Sequence, residues 1–313
     1  MRKYFPIFMT LMVVVVAAYF VVNQKKEALN IEKISEKKKQ FLGTFTKQKK
    51  CAVPPKFLTQ MKIPQPVIID LSQKRFKGIA LHYGKDFSKT LHPKLWEQYE
   101  HFSTYAVDTQ GNIYLVPTPF ISILPTTFNL QKNIYKLDSK TGKISIFMHF
   151  DDVHPTANNP YGLNAITYDC DDGTLWVASI DESDYQSQKG VIYHVNPQTK
   201  EILQKFEGVD ALSMTLLKSE KGKFLLLGSA RDNGLYAYPI IKNKLENTPI
   251  KIISLPHANE HIRKIKIINK NTLELQSIPF SYTLIAQTAK EDRIYYTIMW
   301  DVLKKMWSIK GKK

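Results

Sequence analysis

Asp169-Cys-Asp-Asp-Gly-Thr-Leu-Trp-Val177 is a polar turn that runs directly into an apolar strand, and the chain repeats it. Copies stand at Asp108-Thr-Gln-Gly-Asn-Ile-Tyr-Leu-Val116 and Ser219-Glu-Lys-Gly-Lys-Phe-Leu-Leu-Leu227, with a degenerate one at Lys290-Glu-Asp-Arg-Ile-Tyr-Tyr-Thr297. The first three are each followed by a second strand built on an apolar-Tyr pair: Ile134-Tyr135, Ile192-Tyr193 and Leu235-Tyr236. Self-similarity at a period of tens of residues marks a repeat architecture, because one unit cannot bury both of its faces alone. Units made only of strands and turns predict an all-β fold, a β-propeller.

The units extend outward from these turns. Thr104 to Phe150 reads as four strands (105–107, 113–116, 134–137, 144–147), the last two joined by Asp138-Ser-Lys-Thr-Gly-Lys143 with Gly where a positive φ is wanted. Leu163 to Phe206 repeats the pattern at 165–167, 175–178, 191–195 and 202–206, and Ala211 to Leu255 repeats it again. Beyond Ile262 the strands read as 264–268, 273–278, 282–286, 294–300 and 306–309. Gly78 to His82 and Trp96 to Phe102 read as a half-unit, which the surplus C-terminal strand would complete, closing the ring with strands from both termini. Closure of that kind removes free sheet edges. Roughly twenty strands at four per blade predict five blades, or six if two units have been merged.

Ahead of the body, residues 1–23 are expected to be a membrane anchor or signal segment. Tyr4 to Val22 holds no charged side chain, long enough for one helical crossing, and Arg2 and Lys3 precede it. The apolar run continues through Tyr19-Phe-Val-Val22, which favours an uncleaved anchor. The lysines after it argue for a cytoplasmic body and the signal-like N-terminus for an exported one; the expectation is a propeller facing the periplasm or the exterior. Residues 24–66 form a Lys-rich stem and Pro-containing linker, with Ile31, Ile34, Phe41 and Phe45 at helical intervals. Residues 67–313 form the propeller. The net charge of +16 sits at the ends: residues 23–50 carry nine Lys against three Glu. A mildly basic body without a Lys/Arg groove excludes nucleic acid as a partner. Cys51 and Cys170 fit no CxxC spacing; unpaired thiols are favoured over a clip between stem and body.

Asn159-Pro-Tyr-Gly-Leu-Asn-Ala-Ile-Thr-Tyr-Asp-Cys-Asp-Asp-Gly-Thr-Leu-Trp-Val-Ala178 resembles a blade of the NHL-repeat and gluconolactonase-like propellers. Those blades open on Pro-x-Gly-Leu, cross an Asp-x-x-Gly turn and enter a Leu-Tyr-Val-Ala strand. The resemblance covers the central blades. It implies an axial divalent cation held by a Glu, two Asn and an Asp, but Tyr161 stands where one Asn belongs, so lactonase chemistry is not carried over.

The polar loop His154 to Tyr161 precedes an innermost strand, where loops line the axial mouth. His154, Asn158, Asn159, Tyr161, Asn164 and Asp181 are the ligand-binding candidates, with Asn158, Asn159, Asn164 and Asp181 as oxygen donors should Ca²⁺ bind. The competing reading is turn chemistry, since Asn and Asp bond their own backbone. Asp169, Asp171 and Asp172 read as a strand-connecting turn. Phe280, Tyr282, Trp300 and Trp307 form either an aromatic rim or packing between blades. The sequence thus predicts a membrane-tethered extracytoplasmic propeller that binds a ligand or protein. The alternative is a divalent-cation-dependent lactonase or esterase-type hydrolase working at the mouth.

Overall fold

The computed structural model describes residues 44–46, 51–71, 76–99, 101–119, 128–283 and 293–313. Tyr4 to Val22, Ile31, Ile34 and Phe41 lie outside them. Among the described residues no helix is long and apolar enough to cross a membrane.

Five antiparallel sheets follow one another along the chain, and the fold is a five-bladed β-propeller. The first has three strands, β1 (Ile68–Asp70), β2 (Ala80–Tyr83) and β3 (Lys89–Leu91). The second is β4 (Phe102–Val107), β5 (Ile113–Pro117), β6 (Asn133–Leu137) and β7 (Ile144–His149). The third is β8 (Leu163–Asp169), β9 (Thr174–Ser179), β10 (Val191–Asn196) and β11 (Glu201–Glu207). The fourth holds β12 (Ala211–Ser219), β13 (Gly222–Ser229) and β14 (Gly234–Ile241), with β15 (Lys244–Leu245) and β16 (Ile250–Ser254) both on the β14 edge. The fifth is β17 (Glu260–Asn269), β18 (Thr272–Pro279), β19 (Ile294–Asp301) and β20 (Met306–Lys312).

Apolar side chains fill the spaces between consecutive sheets, as the repeat requires. Trp96, Ile113 and Tyr135 pack the first against the second. Val116, Phe150 and Tyr193 pack the second against the third, and Trp176, Ile192 and Leu225 the third against the fourth. Phe224, Leu235, Leu275 and Tyr296 pack the fourth against the fifth. Strands β4, β8, β12 and β17 are innermost, each beside the next.

Each of these four strands carries a bulge near its N-terminal end, at Ser103, Asn164, Leu212 and Arg263. A bulge leaves one residue out of the ladder and re-aims its side chain. Ser103 Oγ donates to the carbonyl of Asn164, and Asn164 Nδ2 to that of Ala211, both at 2.7 Å. Ser213 Oγ donates to Ile262 O at 2.7 Å, so side-chain bonds stitch each innermost strand to the next.

Four expectations are corrected, the last of them at Phe45 in the strap described below. Trp96 lies in a 3₁₀ helix (Lys94–Tyr99), not a strand; its indole donates to Gly142 O at 2.8 Å, which makes it a buried anchor. The ring is not closed by a sheet of mixed termini, since the fifth sheet is wholly C-terminal and the first wholly N-terminal. Cys51 and Cys170 form a disulfide rather than two free thiols, with Cα atoms 5.7 Å apart.

An N-terminal strap ties the sheets together instead. The turns joining first to second and third to fourth strands lie on one face, called here the lower. Phe45 is no helical residue: its amide donates to Lys270 O, it bridges Ser219, and its ring stacks on Trp307 at 5.2 Å. Cys51 then reaches the β8–β9 turn. Phe57, in helix α1 (Lys56–Gln60), bonds Ser139 in the β6–β7 turn. The segment therefore contacts the lower turns of the fourth and fifth sheets together at Thr44 to Thr46, then that of the third at Cys51 and that of the second at Phe57, before β1 begins the first.

Candidate functional site

The loops on the opposite, upper face join second to third strands and one sheet to the next. Residues 150–162, 180–190, 208–210, 230–233, 255–259 and 280–283 belong to this set. Asp210, at the entrance to β12, is the point on which several converge. Its buried carboxylate accepts from Tyr282 Oη at 2.6 Å, Ser183 Oγ at 2.7 Å and Gly190 N at 2.8 Å. The Arg231 guanidinium stands 3.9 Å away. A buried carboxylate is tolerable only when hydrogen-bonded in this way.

Arg231 completes the scaffold. It donates to the carbonyls of Asp184, Tyr185 (3.0 Å) and Ser187 (3.3 Å), fixing the β9–β10 loop, and lies over the Tyr282 ring at 5.9 Å. Burial and the neighbouring Asp210 push the Tyr282 hydroxyl pKa up, so it stays a protonated donor.

On this base sits a cluster of rings. Phe280 packs against Tyr282 at 5.1 Å and Tyr161 at 5.4 Å, and Tyr185 meets Tyr282 edge-on at 5.5 Å. The Arg263 guanidinium lies 5.9 Å from the Phe280 ring, and His261 lies 5.8 Å from it. Burial holds the His261 pKa below its ordinary value, so the ring stays neutral near pH 7. Tyr185 is 61% exposed, Tyr161 and Phe280 half-buried, and Tyr282 buried. The result is a patch with a rigid floor and an accessible rim.

The six residues singled out in the sequence lie on or near this face, but do not converge on one point. Asp181 accepts from the His154 amide at 2.6 Å and from Ser179 Oγ, and burial raises its pKa. His154 contributes its backbone to that contact while its side chain is exposed. Asn159 Nδ2 donates to Ile180 O (2.7 Å) and Ser183 O (2.8 Å), and its oxygen accepts from Tyr161 N. Asn159 thus braces two loops, with both its amide nitrogen and its oxygen engaged by protein backbone. Asn164 stitches β8 to β12, and its buried Oδ1 has no hydrogen-bond partner among the described residues. Asn158 is exposed. Among the described residues no three His, Cys, Asp or Glu side chains are grouped to hold a metal ion. Beside Asp181 opens a groove of about 280 Å³, whose Asp152 and Glu207 carboxylates both face Lys205 at 2.9 and 3.4 Å.

The Asp169 to Gly173 segment is a lower-face turn. Lys223 faces Asp169, Asp171 and Asp172, and Lys218 faces Asp171 at 2.6 Å. Trp300 and Trp307 pack with Phe45, whereas Phe280 and Tyr282 join the upper patch. Asp210, Arg231 and Tyr185 carried no sequence signal, because their partners come from other sheets.

No protein-family model matches the chain, and no curated protein does. Solved structures share its fold. The structure of U3-55K is 9% identical over 87% of this chain and 84% of that one, with a TM-score of 0.46. The periplasmic gluconolactonase PpgL of Pseudomonas aeruginosa is 10% identical over 79% and 82%, with a TM-score of 0.46. A protein of unknown function from Bacteroides caccae is 13% identical over 75% and 82%, at 0.43. At these identities the likeness is one of fold alone.

Proposed function

We propose that this chain is a membrane-tethered, extracytoplasmic binding module whose partner, a ligand or a protein, seats on the upper face. One observation carries the reading: Asp210 and Arg231 are engaged in holding a partly exposed aromatic patch still. Propeller loops on a stiff ring suit recognition. Tyr and Arg dominate binding energy where they are held in place, because little conformational freedom is then lost on association. The tether is supported by the uncharged run Tyr4 to Val22, and the extracytoplasmic side by the Cys51–Cys170 disulfide, a bond that persists in oxidising compartments.

The test places a photo-crosslinking residue at Tyr185 in the full chain in its native membrane, and a second at Ile146 on outermost strand β7. A discrete adduct from position 185 that disappears on Phe280→Ser supports the reading. No adduct from the upper face, or the same adducts from both positions, refutes it. Hydrolysis of lactones abolished by chelation would instead establish the enzyme.

A further inference from the structure

The lower face carries features that the upper patch does not explain. Each of its outer turns, joining third to fourth strands, presents exposed lysine: Lys140, Lys200, Lys242, Lys244, Lys304 and Lys305. Three of them hold the left-handed backbone, Lys200 at φ 61°, Lys242 at 51° and Lys305 at 50°. Glycine or asparagine adopts that conformation at lower cost, as Gly142 does in the equivalent turn of the second sheet. Lysine at these tips is therefore not explained by turn geometry.

Apolar residues share the tips. Ile241, 53% exposed, precedes Lys242, and Val302 and Leu303, 58% and 94% exposed, precede Lys304 and Lys305. A leucine held almost wholly in water at a hairpin end and followed by two cations has the make-up of an interfacial insertion element, the one nearby anion, Asp301, being turned to the Leu303 and Lys304 amides. The upper face has the opposite charge, with Asp151, Asp152, Glu182 and Asp184 exposed.

The strap enters the fold on the lower face. Phe45 stacks on Trp307, in the strand leaving the Val302–Leu303 tip, so the chain coming from the apolar N-terminal run enters the fold on this face. We infer that the lower face docks on an anionic lipid bilayer, its turn lysines on the headgroups and Val302 and Leu303 dipping among them, which turns the aromatic patch outward. The inference rests on the tethered reading above and adds an orientation to it. Each lysine near an anionic surface contributes about fivefold to partitioning.

The experiment uses the full chain in lipid nanodiscs rich in phosphatidylglycerol, or made of phosphatidylcholine alone, with nitroxide-bearing lipid as quencher. A fluorophore is attached at Leu303→Cys or at Tyr185→Cys; the native cysteines being paired, the new thiol is the one that reacts. Docking predicts quenching at 303 and not at 185, in the anionic discs, relieved by high salt. Lys304→Asn with Lys305→Asn should lower the docking equilibrium constant, the ratio of docked to undocked chain, about 25-fold. Both sites are exposed, and unchanged circular dichroism verifies the fold. A chain that stays with the discs but shows no quenching at 303, or equal quenching in phosphatidylcholine, overturns the docking and leaves the tether standing. A chain that elutes free of the discs overturns both.

Discussion

Replacing Cys51 and Cys170 together with serine should destabilise the body by about 5 kcal/mol, more than most core truncations. The bond joins residues 119 apart in sequence, and in the chain-entropy view its effect lies in the unfolded state. Closing a loop of that length removes about 16 cal/mol/K from the denatured ensemble, hence about 5 kcal/mol at 25 °C. The folded strap should keep its course without the bond, because Phe45 stays stacked on Trp307 and Phe57 stays bonded to Ser139. For a body of roughly 270 residues, with an unfolding entropy near 2 cal/mol/K per residue, the loss lowers Tm by about 9 °C. Urea unfolding and calorimetry of the oxidised chain, the reduced chain and the double-serine variant would measure it. Reduction should reproduce the serine variant and leave that variant itself unchanged. Titratable thiols in the denatured, unreduced chain, or a loss below about 1 kcal/mol, would refute the reasoning.

Phe45→Ala should cost about 3–5 kcal/mol in urea unfolding, although the residue lies well before the first strand, because its ring is 2% exposed in the core of the last two sheets. An effect within experimental error would return that segment to a spacer. Gly162→Ala drives a methyl group into the Gln131 carbonyl and should cost about 1–3 kcal/mol, read as a lower urea midpoint at unchanged slope. The pH dependence follows from His194 and His261, whose pKa values burial lowers below the ordinary 6.5. The unfolded chain then binds the more protons, so their contribution is complete above pH 6.5 and falls as the pH drops below it, by at most about 1.4 kcal/mol per pH unit for each. His194→Gln should flatten the stability–pH curve between 6.5 and 5; an unchanged slope counts against a buried neutral His194.

Where strand and turn are local chemistry, the sequence is readable. Asp138-Ser-Lys-Thr-Gly-Lys143 needs a left-handed residue and has Gly142 there at φ 66°, with the Asp138 carboxylate accepting from the Thr141 amide at 2.8 Å. The recurrence of a polar turn running into an apolar strand, followed by an apolar-Tyr strand, gave the remaining strands of the second, third and fourth sheets. Trp96 to Phe102 misled because apolar density signals burial, and a buried 3₁₀ anchor between sheets satisfies that signal as well as a strand does. Phe45 misled for the same reason: spacing measures a face, and an extended segment can bury one aromatic without any helix. The disulfide and the Asp210 scaffold were illegible because proximity between residues 119 or 72 apart is a product of the fold.

The innermost bulges show how one repeat yields a face that differs around the ring. The slot recurs in four sheets, yet its occupants are Ser103, Asn164, Leu212 and Arg263. In the second and third sheets the occupant bonds a carbonyl of the next innermost strand, which holds the ring together. In the fourth, Leu212 packs under Tyr282, and in the fifth, Arg263 reaches the Phe280 ring. Backbone geometry is thus common to all four, while side-chain chemistry divides them into a stitched half and a half that builds the patch. Turn and strand signals report the shared backbone, so they reveal the ring. The bulge is a single unpaired residue with no composition of its own, and the division that builds the aromatic patch on the fourth and fifth sheets is carried by those positions.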